Sequence, residues 1–254
     1  MEQTLTIATY NIHKGFSPFN RRMMLHELKQ ALDTLHADIV FLQEVQGQHL
    51  RHARRLANWP VAPQNEFLAN GMIATAYGRN AEYRSGHHGN ALLSRHPILE
   101  WVNQDISVNR FEQRGLLHAE IAIQGWNHPL HAVCVHLNLL ARDRRKQLVQ
   151  LTERIRAQVP DHAPLIVAGD FNDWRNEASD WFGKELGMHE AHEWHHGKPA
   201  RSFPARLPLL HLDRIYVRGL HIQHAALLQG PPWDTISDHS PLTARLHLPH
   251  AESR

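Results

Sequence analysis

Apolar and polar positions change period several times along the chain, and each change predicts an element. Residues 5–12 are β-branched and apolar and give way to Asn11-Ile-His-Lys-Gly15, after which Ser17-Pro18 completes the break, so a strand runs into a loop. Over 21–36, Met24, Leu28, Leu32 and Leu35 recur at helical spacing, with Leu25 and Ala31 widening the stripe, which predicts an amphipathic helix. Residues 38–45 are a short continuous apolar run, the pattern of a strand covered on both faces, and they deliver Gln43 and Glu44 at their end. Further strands are predicted at 90–94, 116–123, 130–137, 165–168, 212–217 and 242–248, and helices at 48–56 and at 144–159, where Leu148, Leu151 and Ile155 share a face. Strands outnumber helices, and the crossover from Leu137 through a helix to Leu165 predicts parallel pairing there. An α/β protein with mixed sheets follows, and with no repeat or linker, residues 1–254 read as a single domain.

At 254 residues the chain buries a core large enough to fold without a metal or disulfide staple, so a metal here is expected to be catalytic. The lone Cys134 excludes an intramolecular disulfide and CxxC chemistry and points to a reducing compartment. The first eleven residues lack a basic segment followed by an apolar core, and no run approaches the roughly 18 apolar residues of a membrane span, so a cytoplasmic protein with no transmembrane segment is expected. The formal charge is only +2, but arginines cluster at Arg51, Arg54 and Arg55 and at Arg142, Arg144 and Arg145 beside Lys146. Guanidinium forks suit phosphate, and the same clusters also read as solvated helix faces. The 23 histidines are scattered, and most read as surface composition that becomes partly charged below neutral pH.

Polar residues stand at the ends of apolar strands, where a scaffold holds them rigidly: Asn11, Glu44, His136, Asp170 with Asn172, Asp213, and Asp238 with His239. Each alone has a plain structural reading as a turn, a cap or a core histidine. In Gly169-Asp-Phe-Asn172 the glycine permits a tight bend and Phe171 anchors it, so that Asp170 and Asn172 project the same way. Together the set has a chemical logic. Carboxylate and amide oxygens without cysteine favour a hard cation such as Mg²⁺ or Mn²⁺. An Asp-oriented imidazole exchanges protons near neutral pH or holds a phosphate oxygen. Metal, base, amide and arginine in one site describe phosphoester hydrolysis.

Five segments, Thr9-Tyr-Asn-Ile-His-Lys-Gly15, Leu42-Gln-Glu-Val45, Gly169-Asp-Phe-Asn-Asp173, Leu212-Asp-Arg-Ile215 and Ser237-Asp-His-Ser-Pro241, resemble the motifs of the endonuclease/exonuclease/phosphatase superfamily, in the same order and over nearly the whole chain. Residues 86–95 and Arg201-Ser-Phe-Pro204 resemble its bacterial YbhP-type branch. The resemblance implies a DNase I-like four-layer α/β sandwich, two mixed β-sheets packed face to face with helices on the outside. It also implies roles. Glu44 would be the main metal ligand, aided by Asn11 and Asp238. Asp170 would align or deprotonate the attacking water, and Asn172 would hold it and a phosphoryl oxygen. Asp213 would orient His239 toward the phosphate, with His136 on the other side; whether His239 or Asp170 is the base stays open. Arg144, Arg145, His88, Asn90 and Trp174 are the expected substrate-binding residues.

Some relatives pair a histidine like His136 with a glutamate; here the matching segment holds His87, His88 and Asn90, so a different arrangement is expected there. Leu212 stands where the superfamily's inositol phosphatases carry cysteine, and no long DNA-gripping insertion is visible. The expected activity is a metal-dependent phosphodiesterase or nuclease acting on nucleic acid or nucleotides, with a phosphate-ester substrate and no obligate protein partner. The alternatives are hydrolysis of a phospholipid head group or other small phosphoester, approached through loops such as Leu207-Pro-Leu-Leu210 and Gly230-Pro-Pro-Trp233, and a silent binding protein on the same fold. His189, His192, His195 and His196 form a zinc candidate without a closed ligand set. Trp101, Trp126, Trp174, Trp181, Trp194 and Trp233 read mainly as core or rim, with Trp174 the best placed to stack on a base.

Overall fold

Alternation along the strands explains the architecture of the computed structural model, which describes residues 4–249. The ends of the span read as one domain, 1–254, including the first residues of the segment read for a targeting signal, lie outside the described residues. In chain order the elements are β1 (Leu5–Asn11), α1 (Leu25–Thr34), β2 (Ile39–His49), α2 (Leu50–Arg55), α3 (Gln64–Leu68), β3 (Ala74–Tyr83), β4 (Gly86–Ser94), β5 (Ile98–Asp105), β6 (Gly115–Ile121) and β7 (Leu130–His136). They continue as α4 (Ala141–Gln158), β8 (Leu165–Asp170), α5 (Glu177–Leu186), β9 (His189–Glu190), α6 (Ala191–His196), β10 (Asp213–Arg218), β11 (His221–Leu227), α7 (Trp233–Ile236) and β12 (Leu242–His247). Two six-stranded sheets result, ordered β11-β12-β1-β2-β4-β3 and β5-β6-β7-β8-β10-β9. Both are mixed: β1 pairs with β2 and β7 with β8 in parallel, each pair bridged by a helical crossover, and their other neighbours run antiparallel.

Because strand side chains alternate faces, each central strand feeds two cores. Ile7, Ile39 and Phe41 of the first sheet meet Leu117, Ala132, Cys134, Ile166, Ala168 and Ile215 of the second in the core between the sheets. The alternate residues Ala8, Val40 and Leu42 pack outward under Leu25, Leu28 and Leu32 of α1. Val133, Val135, Leu165 and Val167 pack outward under Leu148, Leu151 and Ile155 of α4 and Phe182 of α5. This is the four-layer sandwich that the motifs imply.

Boundaries and edges depart from the sequence reading for physical reasons. The strands at 74–83, 98–105 and 221–227 were not predicted; all three lie at sheet edges, where the pattern is diluted by polar residues that discourage further pairing. The α5 segment was also unpredicted. The helix predicted at 48–56 begins only at Leu50, because Gln48 and His49 still pair with β4. The one predicted at 21–36 begins at Leu25, after a turn closed by a bridge between Phe16 and Met23. The helix predicted at 144–159 begins at Ala141, which puts Arg144 in its first turn.

Near one end the two sheets are joined by polar contacts. Asn90 Nδ2 donates to the Gly115 and Cys134 carbonyls at 2.9 and 3.3 Å, and Gln43 Nε2 donates to Thr9 Oγ1 and Cys134 Sγ at 3.2 and 3.3 Å. Buried amides left unpaired would be costly, so these bonds also fix how the sheets meet. Gly169, the residue before Asp170, has φ +148°, and a Cβ there would collide with the Val135 carbonyl oxygen of β7. Gly169→Ala is therefore expected to destabilise the fold by about 3 kcal/mol, read from urea unfolding, because backbone must separate β7 from β8. An unchanged midpoint would contradict this.

Candidate active site

The candidate residues arrive at one end of the sandwich from both sheets. Asn11 ends β1, His136 ends β7 and Asp170 ends β8, while Asp213 opens β10. In the pairing register, His136 stands opposite Asp170, and Asp170 stands opposite Asp213. Asp170 Oδ2 faces three groups: Asn11 Nδ2 at 3.0 Å, His136 Nε2 at 3.4 Å and His239 Nε2 at 3.8 Å. Its other oxygen accepts the Asn172 amide N–H at 2.9 Å. Asn172 in turn donates to the Leu137 carbonyl at 2.9 Å, which fixes its side chain beside the end of β7.

Glu44 reaches this end through a bulge. The register of β2 against β4 shifts between Leu42 and Val45, and Glu44 there has φ +57°, a left-handed conformation that non-glycine residues rarely adopt. Asn172, His13 and Lys14 also have positive φ. Four such residues gathered at one end mark a site whose backbone is held out of its preferred state by its surroundings. Glu44 Oε1 lies 3.5 Å from Asn11 Nδ2, and Lys14 Nζ lies 3.0 Å from Glu44 Oε2. Burial alone raises the Glu44 pKa, but its cationic neighbours, Lys14 foremost, outweigh it and hold the carboxyl ionised, well below the usual carboxylate range. Asp238 is lowered too: burial opposes ionisation, but the contact with His13 Nδ1 at 3.2 Å and the charge of His239 prevail.

The other half of the site holds an Asp–His pair. His239 Nδ1 and Asp213 Oδ2 are 2.8 Å apart. Burial disfavours the imidazolium, yet the charges of Asp213 and Asp170 push the His239 pKa up to about 10, so the ring stays protonated at neutral pH. Asp170 moves the other way for a carboxylate: burial, reinforced by Asp213, raises it above the ordinary range although His239 and Asn11 partly offset this. His136 is held neutral, first by burial and then by the Arg114 charge. Ser202 Oγ accepts the Asp213 N–H at 3.1 Å, and Ser237 Oγ accepts the His239 N–H at 3.3 Å while donating to the Asn11 carbonyl at 2.7 Å.

Of the expected substrate-binding residues, His88 joins the site: burial and the nearby Lys14 lower its pKa to about 4, so it is neutral there. Asn90 lies beneath it as the link between sheets described above. Arg144 is buried, donates to the Asn138 and Leu139 carbonyls, and lies 4.7 Å under the Trp174 ring, which is partly exposed next to Asn172. Arg145 is exposed on α4 and forms a two-bond pair with Glu177, both at 3.0 Å. The sequence reading assigned no role to Lys14, His13, Arg114, Ser202 or Ser237. Four of these lie in or beside the quoted motifs, but only the fold shows which carboxylate each one faces.

The oxygen donors of Glu44, Asp238 and Asn11 are hard ligands and fit a divalent cation such as Mg²⁺ or Mn²⁺ better than zinc. Among the described residues, Asp170, Asp213 and His239 also bring ligand atoms within 4.8 Å of one another. There, however, His239 is bonded to Asp213 and protonated, and an imidazolium is no metal ligand.

The family model described as "Endonuclease/Exonuclease/phosphatase family" matches residues 8–239. The chain is 47% identical over 243 residues to the protein YbhP of Escherichia coli strain K12, covering 95% of this chain and 96% of the relative. Among solved structures, an endonuclease/exonuclease/phosphatase from Beutenbergia cavernae superposes with a TM-score of 0.78 at 19% identity, covering 96% of this chain and 72% of that one. Danio rerio TDP2 complexed with a single-strand DNA product superposes with a TM-score of 0.71 at 20% identity, covering 97% and 100%. At these identities the structural likeness shows the shared fold.

The paired His239 carries a pH signature. Its folded pKa lies above the ordinary 6.5, so its contribution to stability is complete below pH 6.5 and is lost as pH rises through about 10. In Asp213→Asn the dominant raising charge is gone while burial remains, so the ring is expected to titrate several units lower. Nuclear magnetic resonance titration of the His239 ring checks this, and an unchanged titration would show that Asp213 does not hold the proton.

Proposed function

The chain belongs to the endonuclease/exonuclease/phosphatase family, and from that premise we propose that it is a divalent-metal-dependent phosphodiesterase acting as one domain over residues 1–254. One observation carries the reading: a buried carboxylate, Asp170, faces an amide, a neutral imidazole and a protonated imidazole at a single oxygen. That arrangement suits the attack of water on a phosphate, where one proton must leave the nucleophile and negative charge must be met on the phosphoryl oxygens.

Glu44, Asn11 and Asp238 would hold Mg²⁺ or Mn²⁺, which supplies positive charge to the phosphoryl group. Asp170 accepts the proton of the attacking water, for which its raised pKa is suited, and Asn172 orients that water. His239, kept protonated by Asp213, donates to a phosphoryl oxygen as the bond to the leaving oxygen breaks. His136 donates from the opposite side of Asp170. This division favours Asp170 over His239 as the base, because an imidazolium has no free lone pair to take up the water's proton. The internal bonds of Arg144 and Arg145 leave a nucleic-acid substrate resting chiefly on the likeness to the DNA-bound relative. The lone buried Cys134 supports a reducing, cytoplasmic setting.

Hydrolysis of bis-p-nitrophenyl phosphate with Mg²⁺ or Mn²⁺ tests the reading. Asp170→Asn and Glu44→Gln are each expected to lower kcat by roughly 10²–10⁴-fold, and EDTA to abolish the rate. Equal rates in wild type and both variants would contradict it.

A further inference from the structure

Beside Asp238 and His13 lies a cleft of about 490 Å³ whose walls are Pro18, Phe19, Phe203, Pro204, Ala205 and Leu207, apart from Asn20 and Arg206 at the rim. It is continuous with the candidate active site. The Phe203 ring lies 4.9 Å from that of His239, and the Ala205 N–H donates to the Asp238 carbonyl at 2.8 Å. Around its mouth large apolar side chains face water: Phe19 is 81% exposed, Leu207 65% and Leu209 56%. They are held there by backbone. Phe19 sits in a left-handed turn at φ +64°, and the 203–210 loop is closed by hydrogen bonds from the Leu207 N–H to the Pro204 carbonyl and from the Leu209 and Leu210 N–H groups to the Phe203 carbonyl. More exposed apolar side chains lie close in sequence to other residues of the site: Leu139 and Leu140 within four residues of His136, and Trp174 two residues after Asn172. Apolar groups concentrated at a charged active-site mouth are the pattern of a surface made to meet something apolar.

We propose that this cleft takes the hydrocarbon part of a lipid phosphoester, and that Phe19 and Leu207 dip into the lipid surface that carries it. The proposal rests on the phosphoesterase reading and names the substrate class for that site. Charge supports the choice. Arg21 lies 5.3 Å over the Phe19 ring and exposed Arg206 stands next to Leu207, so cations flank the apolar tips as they do on elements that bind anionic lipid. A nucleic-acid strand instead calls for cations along its whole path, and these walls offer one guanidinium, Arg206, whose Nε donates to the Asp234 carbonyl at 3.1 Å. The other apolar loop expected from the sequence, Gly230–Trp233, does not serve: Trp233 is buried against Tyr10.

Co-sedimentation with vesicles of phosphatidylglycerol and phosphatidylcholine at low salt tests the docking, and release of phosphorylated head group or phosphatidate from the same vesicles tests the chemistry. Wild type is expected to bind and hydrolyse, and the double variant Phe19→Ser/Leu207→Ser to lose binding by about tenfold or more. Both side chains are exposed, so its thermal midpoint should match wild type. Leu99→Ser removes an equally exposed leucine from the outer strand β5 and should bind like wild type. Hydrolysis of bis-p-nitrophenyl phosphate without vesicle binding would overturn the lipid proposal and leave the phosphoesterase reading standing. Vesicle binding lost in the double variant but with no phosphoester hydrolysed would support the docking and overturn the catalytic reading. A double variant impaired on single-stranded DNA yet unchanged on vesicles would assign the cleft to a nucleobase and overturn the proposal.

Discussion

Four carboxylates, Glu44, Asp170, Asp213 and Asp238, are drawn together and largely buried at the end of two packed sheets, and keeping negative charge away from water there is the constraint that shapes the site. In a poorly hydrated setting like charges are costly, and each must find a positive partner or give up its charge. Lys14 answers Glu44, His13 approaches Asp238, and His239 answers Asp213. Asp170 is left with a weaker answer, an amide and a more distant imidazolium, so burial, reinforced by Asp213, raises its pKa. Burial that is only partly offset suits Asp170 to the base role proposed for it, whereas Glu44 and Asp238, held ionised by their cationic neighbours, keep the charge a divalent cation would need.

Holding repelling groups together requires a scaffold that does not yield. The site draws on the ends of central strands, each packed on both faces, and on polar bonds that lock the sheets near that end. Left-handed backbone recurs among the candidate residues, with Glu44 turned inward by a bulge and Asn172 by a left-handed turn. Interactions made between strands of different sheets, such as Asn11 with Asp170 across 159 residues of sequence, are possible only once both sheets have formed. The chemistry is therefore a property of the whole sandwich and not of any one motif.

Much of this was legible in the sequence because the informative residues obey simple rules. Buried central strands read as continuous apolar runs, α1 and α4 read as stripes, and the polar residues that interrupt those runs at their ends lie together at one end of the sandwich. What escaped notice was set by context. The edge strands β3, β5 and β11 carry mixed patterns because one side of each is free, and α2 could not be separated from the end of β2 because His49 suits either. Arg144 reads from the sequence as a member of a surface cluster, yet the fold buries it under Trp174. Lys14 and His13 stood within a quoted motif, but nothing in a linear sequence shows that a lysine will reach back to a glutamate thirty residues on. The loop at Leu207 was legible as exposed and apolar; that Phe19 stands beside it was not.

The central claim is a division of labour, with a cation on the Glu44 side and a bound proton on the Asp213–His239 side. Calorimetric titration of the protein with Mn²⁺ tests it most directly, comparing wild type with Glu44→Gln and Asp213→Asn. The account predicts a site that is weakened at least tenfold by Glu44→Gln and largely kept in Asp213→Asn. Binding kept in Glu44→Gln and lost in Asp213→Asn would place the ion among Asp170, Asp213 and His239 and contradict it.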